Sequence, residues 1–233
     1  MSKMFIETLE VAGIKPALYG MRNPMNSWYK SDSGHCNEIN CEGCTLDARG
    51  RCDVIEDTYI VGENDLDLAQ RLSRAGSEHC KYLRQIQVWA NVNMPRYWWS
   101  EADTYKFGTK NSCSTMHRLL HKTTEITLDD FEYDELDKDL MEIIIMKLQT
   151  IRLQYLKSTD KDERHRLLIR AKKILPESFL QLRTWNTNYA ELKNMYHQRK
   201  HHRLKEEWVD VFCRWCESLP YFVDLCIDME VAD

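Results

Sequence analysis

No apolar run in the sequence approaches the ~18 residues that a membrane-crossing helix needs. Glycine and proline are scarce, eight and five in 233 residues, and no stretch is rich in proline or in glycine with serine. That scarcity excludes a flexible interdomain linker and a low-complexity segment. Internal repeats are missing too, which excludes a solenoid or propeller. The opening residues, MSKMFIETLEVAG, have no apolar h-region, so no secretory signal is expected. The nine cysteines then read as cytoplasmic thiols or metal ligands rather than a disulfide framework, and their number is odd.

The chain is 43% hydrophobic, with seven Trp and eleven Tyr. That composition predicts one packed domain over residues 1–233, with a Cys-rich loop inserted at about 33–55. The net charge of −5 conceals a division, because residues 125–142 hold nine acids against one lysine and leave +3 elsewhere. Positive charge concentrates at Arg164–Lys173 and Lys193–Lys205. Such a chain could hold an anion in a basic pocket, or it could simply solvate ordinary helix faces. The acidic balance argues against broad nucleic-acid binding.

Hydrophobic periodicity predicts an α/β (α+β) fold, a mixed sheet with flanking helices in which helix dominates. Residues 4–11 and Leu83–Val92 alternate as strands, the second placing Ile86, Val88, Ala90 and Val92 on one face. Asp65–Arg74 reads as a helix that stops at Ala75-Gly76, and Pro95 as the first turn of another. Glu135–Lys157 reads as a long helix whose apolar stripe includes Leu136, Leu140, Ile143, Ile144, Leu148 and Ile151. A second amphipathic helix stops at Leu175-Pro176, Phe179–Trp185 is extended, and helix runs from Tyr189 almost to the end.

Several constellations carry possible chemistry. Cys36-x4-Cys41-x2-Cys44-x7-Cys52 offers four thiolates, which would close a structural zinc shell, ligate an iron–sulfur cluster or remain free. Cys213-x2-Cys216 lies in a helical stretch and reads as packing thiols. His197-x3-His201 and His117-x3-His121 lack a neighbouring glutamate or third ligand and read as exposed histidines. Asn188 stands where a helix N-cap is favoured. Beyond it, Asn194 and Arg199, with Lys172 upstream, could together hold a nucleotide.

Leu175-Pro176, Trp185-Asn186-Thr187-Asn188, Glu191-Leu192, Asn194 and Arg199 resemble the C-terminal half of flavin-dependent thymidylate synthases. Asn188 and Asn194 fall on the family's flavin-contacting asparagines, and Arg199 on the arginine that polarises the substrate uracil. Lys172 stands where the family has a phosphate-binding arginine, and Arg203 replaces a histidine of the family's His-Ala-Gln. Gly76-Ser77-Glu78-His79 resembles the Phe-Glu-His turn near the flavin. Counted from Pro95, the signature Arg-His-Arg, seven residues, Ser falls on Thr104-Tyr105-Lys106 and Ser114, so the Ser is kept and the Arg-His-Arg is not. Met116 replaces a further phosphate-binding arginine. A literal Arg164-His165-Arg166 has no Ser eight residues on and reads as a solvated helix face.

The resemblance covers about residues 79–208 and implies a homotetramer that reductively methylates dUMP. It implies FAD, NADPH and methylene-tetrahydrofolate as cofactors. Arg199 would be the catalytic residue, with Ser114, Lys172 and Lys106 on the substrate and His79, Asn188, Asn194 and Arg203 around the flavin. No nucleophilic cysteine is required, although Cys113 adjoins Ser114. Lost arginines leave Arg22, Lys30, Arg96 or Lys110 as other anion holders. A relative that modifies another pyrimidine nucleotide, for instance by hydroxymethylation, and a non-catalytic nucleotide- or nucleic-acid-binding relative are the alternatives.

Overall fold

The computed structural model describes residues 3–36, 59–123 and 125–227. The fold is mixed α and β, as the periodicity predicts. In chain order the elements are β1 (Phe5–Ala12), α1 (Ile14–Met21), β2 (Gly34–His35), β3 (Tyr59–Ile60), α2 (Glu63–Arg74) and β4 (Gln87–Pro95). There follow α3 (Arg96–Ala102), β5 (Thr109–Ser112), α4 (Thr115–Arg118), α5 (Lys138–Lys157), α6 (Lys161–Ile174) and β6 (Leu180–Asn188). The chain ends on α7 (Tyr189–Arg199), a π-helix (Glu206–Cys213), α8 (Arg214–Ser218) and α9 (Phe222–Cys226). Four strands form one sheet in the order β1-β4-β6-β5, while β2 and β3 pair antiparallel. No described helix is long and apolar enough to cross a membrane.

Contacts divide the chain into two compact units, one of residues 1–7 and 90–185, the other of 8–89 and 186–233. In the first, α5 and α6 are joined by three residues, with the Asp160 side chain accepting from the backbone N–H of Asp162 and Glu163. Leu148 and Ile151 of α5 pack with Leu167, Ala171 and Leu175 into one apolar cluster that also holds Leu119, Leu120 and Phe131. The stripe expected on α5 needs correction, because Leu136, Leu140 and Ile143 are exposed while Leu148 and Ile151 are buried. Periodicity marks which residues are apolar, and this helix is apolar on two opposite faces.

In the second unit, Gly13 enters α1 with φ of +94°, and a Cβ there would lie 2.4 Å from the Gln85 carbonyl oxygen. Helix α2 ends at Ala75, and Gly76 follows with φ of +109°, the stop that Ala75-Gly76 predicts. Strand β4, whose residues from Ala90 onward belong with α3 to the first unit, alternates as expected, with Val88, Ala90, Val92 and Met94 buried, but Leu83 belongs to the 3-10 turn before it. Pro95 closes β4 and caps α3 instead of entering its first turn. Helix after Tyr189 breaks at residues 200–205 as well as at Leu219-Pro220, and the segment between is a π-helix.

Candidate functional site

The site residues read from the sequence divide between the two units, and each group is described in its own. Helix α7 carries Asn188 at its N-cap, where the side-chain oxygen accepts from the Glu191 N–H at 3.0 Å. Because only the oxygen caps, the Asn188 amide nitrogen has no hydrogen-bond partner among the described residues. Asn194 is exposed and accepts from the Gln198 amide at 2.8 Å, which leaves its own amide nitrogen in the same state. Arg199 ends α7 half-buried, with its guanidinium stacked 4.4 Å from the ring centre of Trp208. Trp208 is fully buried and meets the edge of Phe212 at 5.3 Å, so the platform under Arg199 is rigid. His79 is exposed on the turn after α2, its backbone N–H donating to the Gly76 carbonyl, and Arg203 is exposed beyond α7.

In the other unit Ser114 is the N-cap of α4, half-buried, without a side-chain cap bond. The next residue, Thr115, is buried and accepts a hydrogen bond from Lys172 Nζ at 2.5 Å, so α6 delivers its ammonium to the Ser114–Thr115 corner. These two sequence-predicted residues are brought together. Lys106 is not part of this corner, since its Nζ donates to the Asp103 carbonyl on an exposed turn. A cleft of about 110 Å3 beside the corner is lined by Cys113, Thr115, Arg118, Asn93, Asp130 and Gln181 among others. Its walls offer both donors and acceptors.

Of the cations considered as replacements for the lost arginines, Arg22, Arg96 and Lys110 are paired with carboxylates. Arg22 is buried and donates through Nε to Asp65, which is fully buried and accepts also from Ser31 and Ser33. Arg96 pairs with Glu177 at 3.0 Å, and Lys30 lies 5.7 Å from the Tyr29 ring centre. Lys110 pairs with Asp103 at 3.0 Å. Arg22 is thereby corrected from anion holder to the partner of a buried carboxylate.

Periodicity and motif reading missed Asp103 and Arg183. The Arg183 guanidinium bonds both Asp103 oxygens at 3.1 and 3.0 Å, and it stacks 4.2 Å from the Trp99 ring centre. Burial pushes the Asp103 carboxyl up, but hydrogen bonds and charge from Arg183 and Lys110 outweigh it and hold the group below the usual carboxylate range. Asp103 and Arg183 are 80 residues apart, so no local spacing could signal the pair.

The remaining constellations are buried thiols or half-buried and exposed side chains, or lie in part outside the described residues. Cys213 and Cys216 are buried, and burial pushes the Cys213 thiol up to about 12 and Cys216 well above its ordinary value. His197 meets the Cys226 carbonyl at 2.9 Å, while His201, His117 and His121 are exposed. Arg164-His165-Arg166 is exposed on α6, with Arg164 stacked 4.3 Å from the Tyr155 ring centre. Cys36 is a half-buried free thiol, whereas Cys41, Cys44 and Cys52 lie outside the described residues. Among the described residues no group of three or more His, Cys, Asp or Glu could hold a metal.

No protein-family model matches the chain, and no curated protein matches it in sequence. Solved structures do match. Thymidylate synthase X (ThyX) from Helicobacter pylori, solved with FAD and dUMP, superposes with a TM-score of 0.65 at 15% identity, covering 97% of this chain and 98% of that one. A second structure, the flavin-dependent thymidylate synthase ThyX of Helicobacter pylori complexed with FAD and dUMP, gives a TM-score of 0.65 at 16% identity over 97% and 99%. The chain therefore has the fold of ThyX, a flavin-dependent thymidylate synthase, over nearly its whole length.

Proposed function

We propose that this chain is a flavin-dependent enzyme that reductively methylates dUMP to dTMP, taking carbon from methylene-tetrahydrofolate and reducing equivalents from NADPH. On this reading it is a cytoplasmic homotetramer with one domain per subunit. The carrying observation is that the ThyX-like fold coincides with Asn188, Asn194 and Arg199 on a single helix. A flavin ring presents carbonyl oxygens and ring nitrogens, and needs donors. The uncommitted amide nitrogens of Asn188 and Asn194 fit that need, with the exposed His79 ring and Arg203 as further donors. Bound there, reduced flavin supplies the hydride.

The chain's own residues then have separable tasks. Stacking on Trp208 fixes the plane of the Arg199 guanidinium, so its N–H groups donate to a uracil carbonyl and stabilise charge that develops on the ring. Lys172 spends one of its three N–H donors on Thr115 and keeps two for a phosphate, joined by the Ser114 hydroxyl. Zinc at Cys36, Cys41, Cys44 and Cys52 would be structural, because four thiolates leave no open coordination position.

Loss of the Arg-His-Arg at Thr104-Tyr105-Lys106 favours a second reading, in which a related flavin enzyme modifies another pyrimidine nucleotide. Flavin fluorescence titration with and without dUMP, followed by NADPH oxidation with methylene-tetrahydrofolate and product identification, tests both. Quenched flavin and dTMP are the expected results. Flavin binding without dTMP supports the second reading, and no flavin binding even with dUMP overturns both. Arg199→Ala should abolish turnover while flavin still binds.

A further inference from the structure

Helix α5 spans 20 residues, about 30 Å, and presents a second apolar face away from the core. Leu140 is 56% exposed, Ile143 58%, Met146 63% and Leu153 62%. The buried residues Met141, Leu148 and Ile151 lie on the opposite side. Along the outer face Asp139, Ile143, Met146, Thr150, Leu153 and Lys157 recur at alternating spacings of four and three. That is the spacing of a coiled-coil seam, here with Ile143, Met146 and Leu153 as its apolar positions, an acid at one end and a base at the other.

That distribution selects the occupant. We infer that the outer face of α5 docks against the same face of a second copy of this chain, antiparallel about a two-fold axis. Aligned so, Asp139 faces Lys157 of the partner subunit, and by symmetry the pair occurs twice. Ile143 then meets the partner's Leu153, and Met146 the partner's Thr150. Parallel pairing would set acid against acid and base against base, and it would align rather than oppose the helix dipoles. A partner without a matching base and acid at the two ends would leave both charges uncompensated at the edge of an apolar seam. The inference rests on the proposed function for self-association alone and adds the interface, so an unchanged mass in the α5 variants overturns it while leaving the enzymatic reading intact.

Sedimentation of the full chain tests it. Wild-type protein is expected as an even-numbered assembly, and Ile143→Glu with Leu153→Glu should halve its mass with an unchanged far-ultraviolet circular dichroism spectrum. Four buried charges in one seam should raise the dissociation constant at least about 100-fold. Asp139→Lys should raise it about tenfold, and adding Lys157→Asp should recover the wild-type value because the pair is reversed rather than lost. A monomeric wild type overturns the inference. So does a wild-type mass in the double glutamate variant, or a reversed pair that fails to recover.

Discussion

Asp65 shows how much one side chain can organise. It is fully buried and takes hydrogen bonds from Arg22, Ser31 and Ser33, so its charge is compensated on every side that the described residues supply. Asp65→Ala would strand the Arg22 guanidinium, itself 4% exposed, at a cost of about 3–5 kcal/mol. Urea unfolding should show a midpoint lowered accordingly, and an unchanged midpoint would remove the pair from the stabilising interactions. Asp103 acts through pH. Its carboxyl is held below the usual range, so it stabilises the fold above the unfolded carboxylate pKa and loses that contribution as pH falls through the lower folded value. Asp103→Asn should therefore flatten the acid side of the stability–pH curve and leave its alkaline side unchanged. Burial raises the thiols of Cys213, Cys216 and Cys226, so thiolate is scarce at neutral pH. Iodoacetamide should alkylate these three only after denaturation, and rapid native labelling would contradict their burial.

Elements show where one residue serves two ends. The Asn188 oxygen caps α7, and its amide nitrogen is the donor assigned to flavin. Asn188→Asp keeps the acceptor and removes the donor, so thermal stability should hold while flavin affinity falls. Asn188→Ala should lose both, with about 1 kcal/mol of stability. Equal flavin affinity in the Asp variant and the wild type would free Asn188 from that role. Gly13 is constrained by space and dihedral angle together, as its φ is +94° and a Cβ would fall 2.4 Å from a backbone oxygen. The acidic block at 125–142 is legible only in the fold. Asp130 and Thr127 form a capping box, Asp134 accepts from the Leu136 N–H, and Lys3 pairs with Asp129 at 2.6 Å. Those acids cap the starts of 3-10 turns and complement the start of α5 rather than forming an acidic tail.

For the molecule as a whole, a flavin and a nucleotide bound only by the folded chain must raise its stability by mass action. At one hundred times the dissociation constant the gain is about 2.7 kcal/mol. FAD with dUMP should therefore raise Tm in a thermal scan, and no shift would count against the proposed function. Much of the fold was readable from local pattern, because period-two burial and helical stripes follow backbone geometry. Strand β4, helices α2 and α6, the stop at Gly76 and the cap at Asn188 all agree with that reading. Apolarity is not burial, however, and α5 has two apolar faces of which the core covers one. Charge is not availability either, since Arg22, Arg96 and Lys110 each have a carboxylate partner distant in sequence or across a turn. Residue order alone was enough for β4, α2, α6 and the N-cap of α7, because each depends on neighbours a few positions apart. Which cations stay free for an anion, and which face of α5 stays bare, depended largely on contacts between segments far apart in sequence, such as Arg96 with Glu177 and Arg183 with Asp103. Those pairings exist only once the chain has closed on itself.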